Sequence, residues 1–145
     1  MRAEHRVVVT WVLTAAAAYC GLVFGAGFVL GTVRVLWVVP RISTRAAELV
    51  ESPLMLLVTI VAAAWINRRF LAASSKAAKL QVGLVSLVFL LAAEVGLGVI
   101  LRGAPPLEIL TDKDPVSGSV YYGLLGMFAA MPWLLAQCTP SARRA

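Results

Sequence analysis

Apolar residues in this chain gather into four long runs, at about 7–33, 47–66, 80–101 and 119–137, separated by short stretches rich in Arg, Lys, Ser and Pro. Each run is close to or above the roughly 20 residues that an α-helix needs to cross the hydrocarbon core of a bilayer. The pattern predicts an all-α fold, a four-transmembrane-helix bundle forming one integral membrane domain over residues 1–145. The first run is longer than a bilayer requires, so its helix must tilt or project past the headgroups. Gly21–Gly25 and Gly27–Gly31 along it are small-xxx-small pairs, which predict close approach of a neighbouring helix inside the bundle.

Proline and its neighbours set the helix boundaries. Pro40 ends the helix of the first run. Ser43 or Thr44 can cap the second helix, and Ser52-Pro53 offers a rival start, with proline at the first helical position. A helix from Pro53 to Ile66 would span only about 21 Å at 1.5 Å per residue, too little to cross. The second helix is therefore predicted to begin before Ser52, at about Ala47, and to carry Pro53 as an internal kink, which brings Glu48 and Glu51 into its outer turns. A short polar loop, R-R-F-L-A-A-S-S-K-A-A-K, joins the second and third runs, and P-P-L-E-I-L in the next connection predicts a short interfacial helix.

Composition fits the same picture. The 145 residues are 61% hydrophobic and only 14% charged, too few charges for an ordinary soluble surface. Mean hydropathy is +0.89. The net charge of +6 sits in segments that flank the apolar runs rather than on one basic face, so nucleic acid is not an expected partner. The opening M-R-A-E-H-R followed by V-V-V-T-W-V-L-T-A-A-A-A imitates a signal peptide, but the apolar run continues through Leu30 and reads as an uncleaved first helix. Cys20 and Cys138 fall at different depths, which argues against a disulfide.

Charge asymmetry predicts the orientation. One side would carry Arg2, Arg6, Arg68, Arg69, Lys76, Lys79, Arg143 and Arg144. The other would carry Arg34, Arg41, Arg45, Arg102 and Lys113, balanced by Glu48, Glu51, Glu108, Asp112 and Asp114. The positive-inside rule then places both termini in the cytoplasm, N-in and C-in. The aromatics agree, with Trp11, Trp65 and Trp133 near the inner interface and Trp37, Tyr121 and Tyr122 near the outer one.

The stretch from Arg34 to Pro53 puts three arginines and two glutamates between two apolar runs, where ionisable groups are expensive unless paired or wet. With Glu94 and Arg102 of the third run it makes a candidate intramembrane polar cluster: Arg34, Arg41, Arg45, Glu48, Glu51, Glu94 and Arg102. Arg41, Arg45 and Glu48 share a helix face, which Ser52 and Met55 continue inward. Glu94 lies about 12 Å below Arg102 along its helix. It therefore calls for Arg34 or Arg41 from another element, or for protonation. The bland alternative is a set of ion pairs fixing the register of the bundle, with some arginines snorkelling to lipid phosphates. The single histidine, His5, lies in the N-terminal tail, so no His-based metal site or catalytic triad is expected, and no cofactor motif is present. Ser52, Ser86, Thr59 and Thr14 have no general base beside them and read as helix–helix hydrogen bonders.

G-T-V-R-V-L-W-V-V-P-R at 31–41, E-L-V-E-S-P-L-M at 48–55 and A-A-E-V-G-L-G-V at 92–99 resemble a group of small four-helix bacterial inner-membrane proteins of unknown function. The resemblance implies a compartment and an architecture but no activity. A second likeness is to the membrane-associated glutathione and eicosanoid family, in chain length, helix number and the Arg/Glu-rich start of the second helix. R-I-S-T-R-A-A-E has arginine where that family typically has asparagine. Small multidrug transporters also have four helices and a membrane glutamate, but theirs is in the first helix. Three functions follow as expectations. The first is a non-enzymatic protein whose outer-half cluster stabilises the bundle or binds a membrane-protein partner, a second copy or a lipid headgroup. The second is a proton-coupled small-molecule carrier using Glu94, favoured if the cluster lines a wet cavity. The third is a glutathione-type membrane enzyme.

Overall fold

The computed structural model describes residues 2–103, 105–111 and 114–138, with side chains from residue 9 onward. Asp112, Lys113, Arg143 and Arg144 lie outside the described residues, as do the side chains of Arg2, His5 and Arg6. The described chain is helical, with α1 (Arg2–Val33), α2 (Thr44–Arg69), α3 (Lys76–Arg102), α4 (Pro106–Thr111) and α5 (Pro115–Cys138). Four segments are long and apolar enough to cross a membrane, Val9–Val38, Thr44–Arg69, Lys76–Arg102 and Pro115–Cys138, which is the build of a multi-pass membrane protein.

Local chemistry explains the boundaries. Beyond Val33 the chain widens into one π-helical turn, Arg34–Val38, in which the Val39 amide bonds Arg34 O at 2.9 Å. Pro40 follows and cannot donate the next backbone bond, so the helix stops there. Ser43 then caps α2, its hydroxyl accepting from Ala46 N at 3.3 Å. The second helix thus starts at Thr44, with Pro53 inside it. Ser75 caps α3 in the same way, and Gly103 at φ 64° ends it in the left-handed conformation that glycine adopts without a Cβ penalty. The predicted interfacial segment is α4.

In the bundle α1 touches α2 and α3, and α5 touches the same two, so α1 and α5 stand diagonally opposite. Lipid tails are as apolar as the helix faces, so packing and interhelical hydrogen bonds hold the helices together. Three such bonds cross the half of the bundle nearer the termini. The Tyr19 hydroxyl of α1 donates to Phe128 O of α5 at 2.9 Å, and the two rings stack with centroids 4.4 Å apart. The Ser86 hydroxyl of α3 lies 3.1 Å from Ala16 O of α1. Asn67 Nδ2 of α2 donates to Pro132 O of α5 at 2.8 Å. The first of these has a specific cause. Phe128 O would ordinarily accept from residue 132, which is Pro132 and has no N–H. Tyr19 supplies the missing donor from across the bundle.

Two expectations about helix contacts change. Three of the four α1 glycines are not where helices meet closely, because a Cβ at Gly21, Gly25 or Gly31 would meet nothing within 4 Å, and at Gly27 only the Met55 side chain of α2 comes close, 3.2 Å from where a Cβ would be. Close approach occurs instead at Gly83 of α3, where a Cβ would lie 1.9 Å from the Ala129 carbonyl oxygen of α5. Of the four hydroxyls expected to bridge helices, only Ser86 also reaches another helix, Ala16 O at 3.1 Å, while lying 2.7 Å from Val82 O in its own helix. Thr14, Ser52 and Thr59 donate to Thr10 O, Glu48 O and Met55 O, each four residues earlier in its own helix. A helical Ser or Thr can always reach that carbonyl, and in an apolar environment the nearest acceptor wins.

Candidate functional site

Above the Tyr19–Phe128 stack, towards the end opposite the termini, the helices enclose a cavity of about 610 Å³. Its apolar part is formed by Val23, Phe24, Leu90, Leu125 and Phe128. Since Phe128 also stacks on the fully buried Tyr19, that pair forms the floor and separates the cavity from the packed half. Gly27 and Gly31 lie on its wall; the room that the missing side chain of Gly31 leaves is part of the opening, whereas at Gly27 the Met55 side chain of α2 already fills that space.

The charged part comes from three elements. Arg34, at the first position of the π turn, projects to α2. Its Nη1 lies 3.0 Å from Glu48 Oε1 and its Nε lies 2.9 Å from Glu51 Oε2. The second contact pairs the charges but is out of line for a hydrogen bond. The start of α2 at Thr44 makes this possible, because it puts Glu48 and Glu51 one turn apart on the face that Ser52, Met55 and Thr59 extend inward. One guanidinium thus closes the α1–α2 corner against two carboxylates, all partly buried. Such a pairing relieves the penalty of holding these groups in a low-dielectric setting.

Glu94 lies on the opposite wall, on α3. Its partner is neither Arg34 nor Arg41, as the sequence suggested, but Tyr121 of α5, whose hydroxyl donates to Glu94 Oε2. Arg34 is turned to α2, and Arg41 reaches back to Trp37 O four residues earlier in its own segment. Tyr121 was expected as an interfacial aromatic. It is turned inward instead, on the face of α5 that also carries Ser117, Leu124 and Phe128 to the cavity. That face has a signature, since Ser117, Tyr121, Leu124 and Phe128 fall at helical spacing. Reading Tyr121 with its helix face rather than with its neighbour Tyr122 finds it. Ser117 Oγ, in a residue only 7% exposed, has no hydrogen-bond partner among the described residues.

Of the seven residues of the expected cluster, Arg34, Glu48, Glu51, Glu94 and Arg102 line the cavity, while Arg41 and Arg45 do not. Arg102 is exposed at the end of α3, with no ion pair among the described residues. Arg45 leaves the face it was expected to share with Glu48 and pairs with Asp114, which precedes α5. Asp114 is also the N-cap of that helix, accepting from Val116 N at 3.0 Å and Ser117 N at 3.2 Å. The Arg45 guanidinium, with these amides, holds the Asp114 carboxyl below the usual range. The pair ties the first turns of α2 and α5 together outside the cavity.

Chemically, the arrangement can receive a molecule with a polar head and an apolar body. The polar groups are a closed Arg–Glu–Glu corner, a Tyr-bonded carboxyl and a buried hydroxyl, and beneath them lies an aromatic floor. No three metal-ligating side chains converge among the described residues. Comparison with protein-family models, with curated proteins and with solved structures yields no match, so the likeness to small four-helix inner-membrane proteins rests on the quoted segments alone.

Proposed function

We propose that this chain is a multi-pass protein of the bacterial inner membrane, with both termini cytoplasmic, that binds a small amphiphilic molecule in the cavity at the outer end of its bundle. The observation that carries the reading is that five of the cluster's ionisable groups line one cavity of about 610 Å³, within the range of small-molecule sites. Ion pairs needed only to fix the bundle would close on one another. Here the Arg34 corner does so, whereas Glu94 lines the cavity with the Tyr121 hydroxyl as its partner and no ion pair among the described residues.

The test uses the protein in lipid nanodiscs, three probes with one body and different heads (4-phenylbutylamine, 4-phenylbutanol and 5-phenylvalerate) and titration calorimetry corrected with empty nanodiscs. At least one probe should bind saturably. Gly31→Phe, which fills the cavity from a position with open space beyond it, should abolish that binding without loss of fold. Absence of saturable binding by all three would remove the proposal. Orientation is tested separately, with cysteines placed at the exposed Ser75 and Leu107 after removal of Cys20 and Cys138. Labelling of Ser75→Cys from outside intact cells would reverse the topology.

A proton-coupled carrier is the second reading. It is favoured by one observation: Glu94 lines the cavity with a tyrosine hydroxyl as its partner and, among the described residues, no arginine. The glutathione-type reading draws less support, because Arg45 of R-I-S-T-R-A-A-E turns away from the cavity to Asp114.

A further inference from the structure

We infer that the ligand class of this cavity is a protonated organic amine, its ammonium head held at Glu94 and its apolar body laid against Phe24, Leu90 and Phe128. The inference rests on the reading of the cavity as an amphiphile site.

Charge is the first ground. The cavity wall carries two arginines, Arg34 and Arg102, and three carboxylates, Glu48, Glu51 and Glu94, an excess of one negative charge when all are ionised. Arg34 is already shared between Glu48 and Glu51, and Arg102 is exposed at the rim. Glu94 is thus the carboxylate left without a cation among the described residues, and in a low-dielectric setting a cationic guest stabilises its ionised form. An anionic guest would face the same excess and be repelled.

Hydrogen bonding narrows the class. Tyr121 donates to Glu94, and the carboxylate only accepts. A guest head seated against Glu94 must therefore donate, and a protonated amine brings several N–H donors to the remaining lone pairs of the carboxylate. A quaternary ammonium would balance the charge but donate no hydrogen bond. Beneath the head, the apolar lining of Phe24, Phe28 and Leu90 suits an apolar body.

The same nanodisc titration decides, at neutral pH. The amine should bind about tenfold more tightly than the alcohol, the gain of one charge-assisted contact, and the carboxylate should bind weakest. Glu94→Gln should bring amine and alcohol to equal affinity, while Glu94→Asp should keep part of the difference. 4-Phenylbutyltrimethylammonium, which carries the charge but cannot donate to the carboxylate, should bind more weakly than the amine, a comparison that still decides if Glu94→Gln does not fold, and equal binding of the two would overturn the hydrogen-bonded head. Equal binding of all three heads by the wild type, or an amine preference that survives Glu94→Gln, would overturn the amine inference and leave the cavity reading standing. Failure of every probe to bind overturns both.

Discussion

Replacing Tyr19 with Phe removes one oxygen atom from the centre of the bundle and leaves the ring stack on Phe128, at 4.4 Å and 11°, in place. Tyr19 is 0% exposed, and its hydroxyl bonds the carbonyl whose usual helical partner is missing because residue 132 is proline. An unsatisfied buried carbonyl costs about 1–3 kcal/mol. Interhelical hydrogen bonds in membranes average about 0.6 kcal/mol, with values up to about 1.7, because the unfolded helix finds other partners. Phe128 O has no substitute in its own helix at residue 132, so the expected loss is about 1–2 kcal/mol, near the top of that range. Reversible unfolding by denaturing detergent, followed by helical circular dichroism, measures it. The decisive comparison adds Pro132→Ala, which restores an N–H to Phe128 O. Pro132→Ala alone also loses packing, since that ring is buried, so the informative quantity is the coupling in a double-mutant cycle. If proline is the reason for the tyrosine, the two substitutions together cost about 1 kcal/mol less than their sum. Additivity within about 0.3 kcal/mol would refute the reasoning.

Gly83→Ala should separate α3 from α5, since its methyl would lie 1.9 Å from Ala129 O, and lower stability by about 1–3 kcal/mol in the same unfolding assay. Gly31→Ala, with nothing within 4 Å, should change it by no more than about 1 kcal/mol. Arg34→Glu should reduce the yield of folded protein by leaving Glu48 and Glu51 uncompensated, and adding Glu48→Arg should recover part of it; size-exclusion profiles report both, and no recovery would mean the charges act singly. The carboxyl of Asp114 has a lower pKa folded than unfolded. Its stabilising effect is therefore complete above the ordinary carboxylate range and is lost as pH falls through the depressed value. Amide exchange at Val116 and Ser117 should accelerate only in that acidic window, and Asp114→Asn should remove the pH dependence.

The sequence by itself determined the features that depend on short-range physics. Four apolar runs of bilayer length specify four helices, since length and hydropathy need no knowledge of neighbours. The early start of α2, read from the shortness of the segment after Pro53, follows from helix rise alone, and it places Glu48 and Glu51 within the helix. That these two carboxylates would meet an arginine of the 34–45 stretch was also legible, because the connecting segment is too short to take those charges far apart. Which arginine meets them was not. The choice depends on how the π turn and the Pro40 corner aim Arg34, and on α5 bringing Asp114 to Arg45 across 69 positions of sequence. Glu94 shows the same limit. Its burial was readable along one helix, but its partner stands on another, and only the order of the helices around the bundle selects Tyr121 over an arginine. The glycines mark the boundary most clearly. A small residue permits close approach wherever it occurs, but contact forms only where a second backbone arrives, at Gly83 against Ala129 rather than along α1, where part of the room becomes the wall of the cavity.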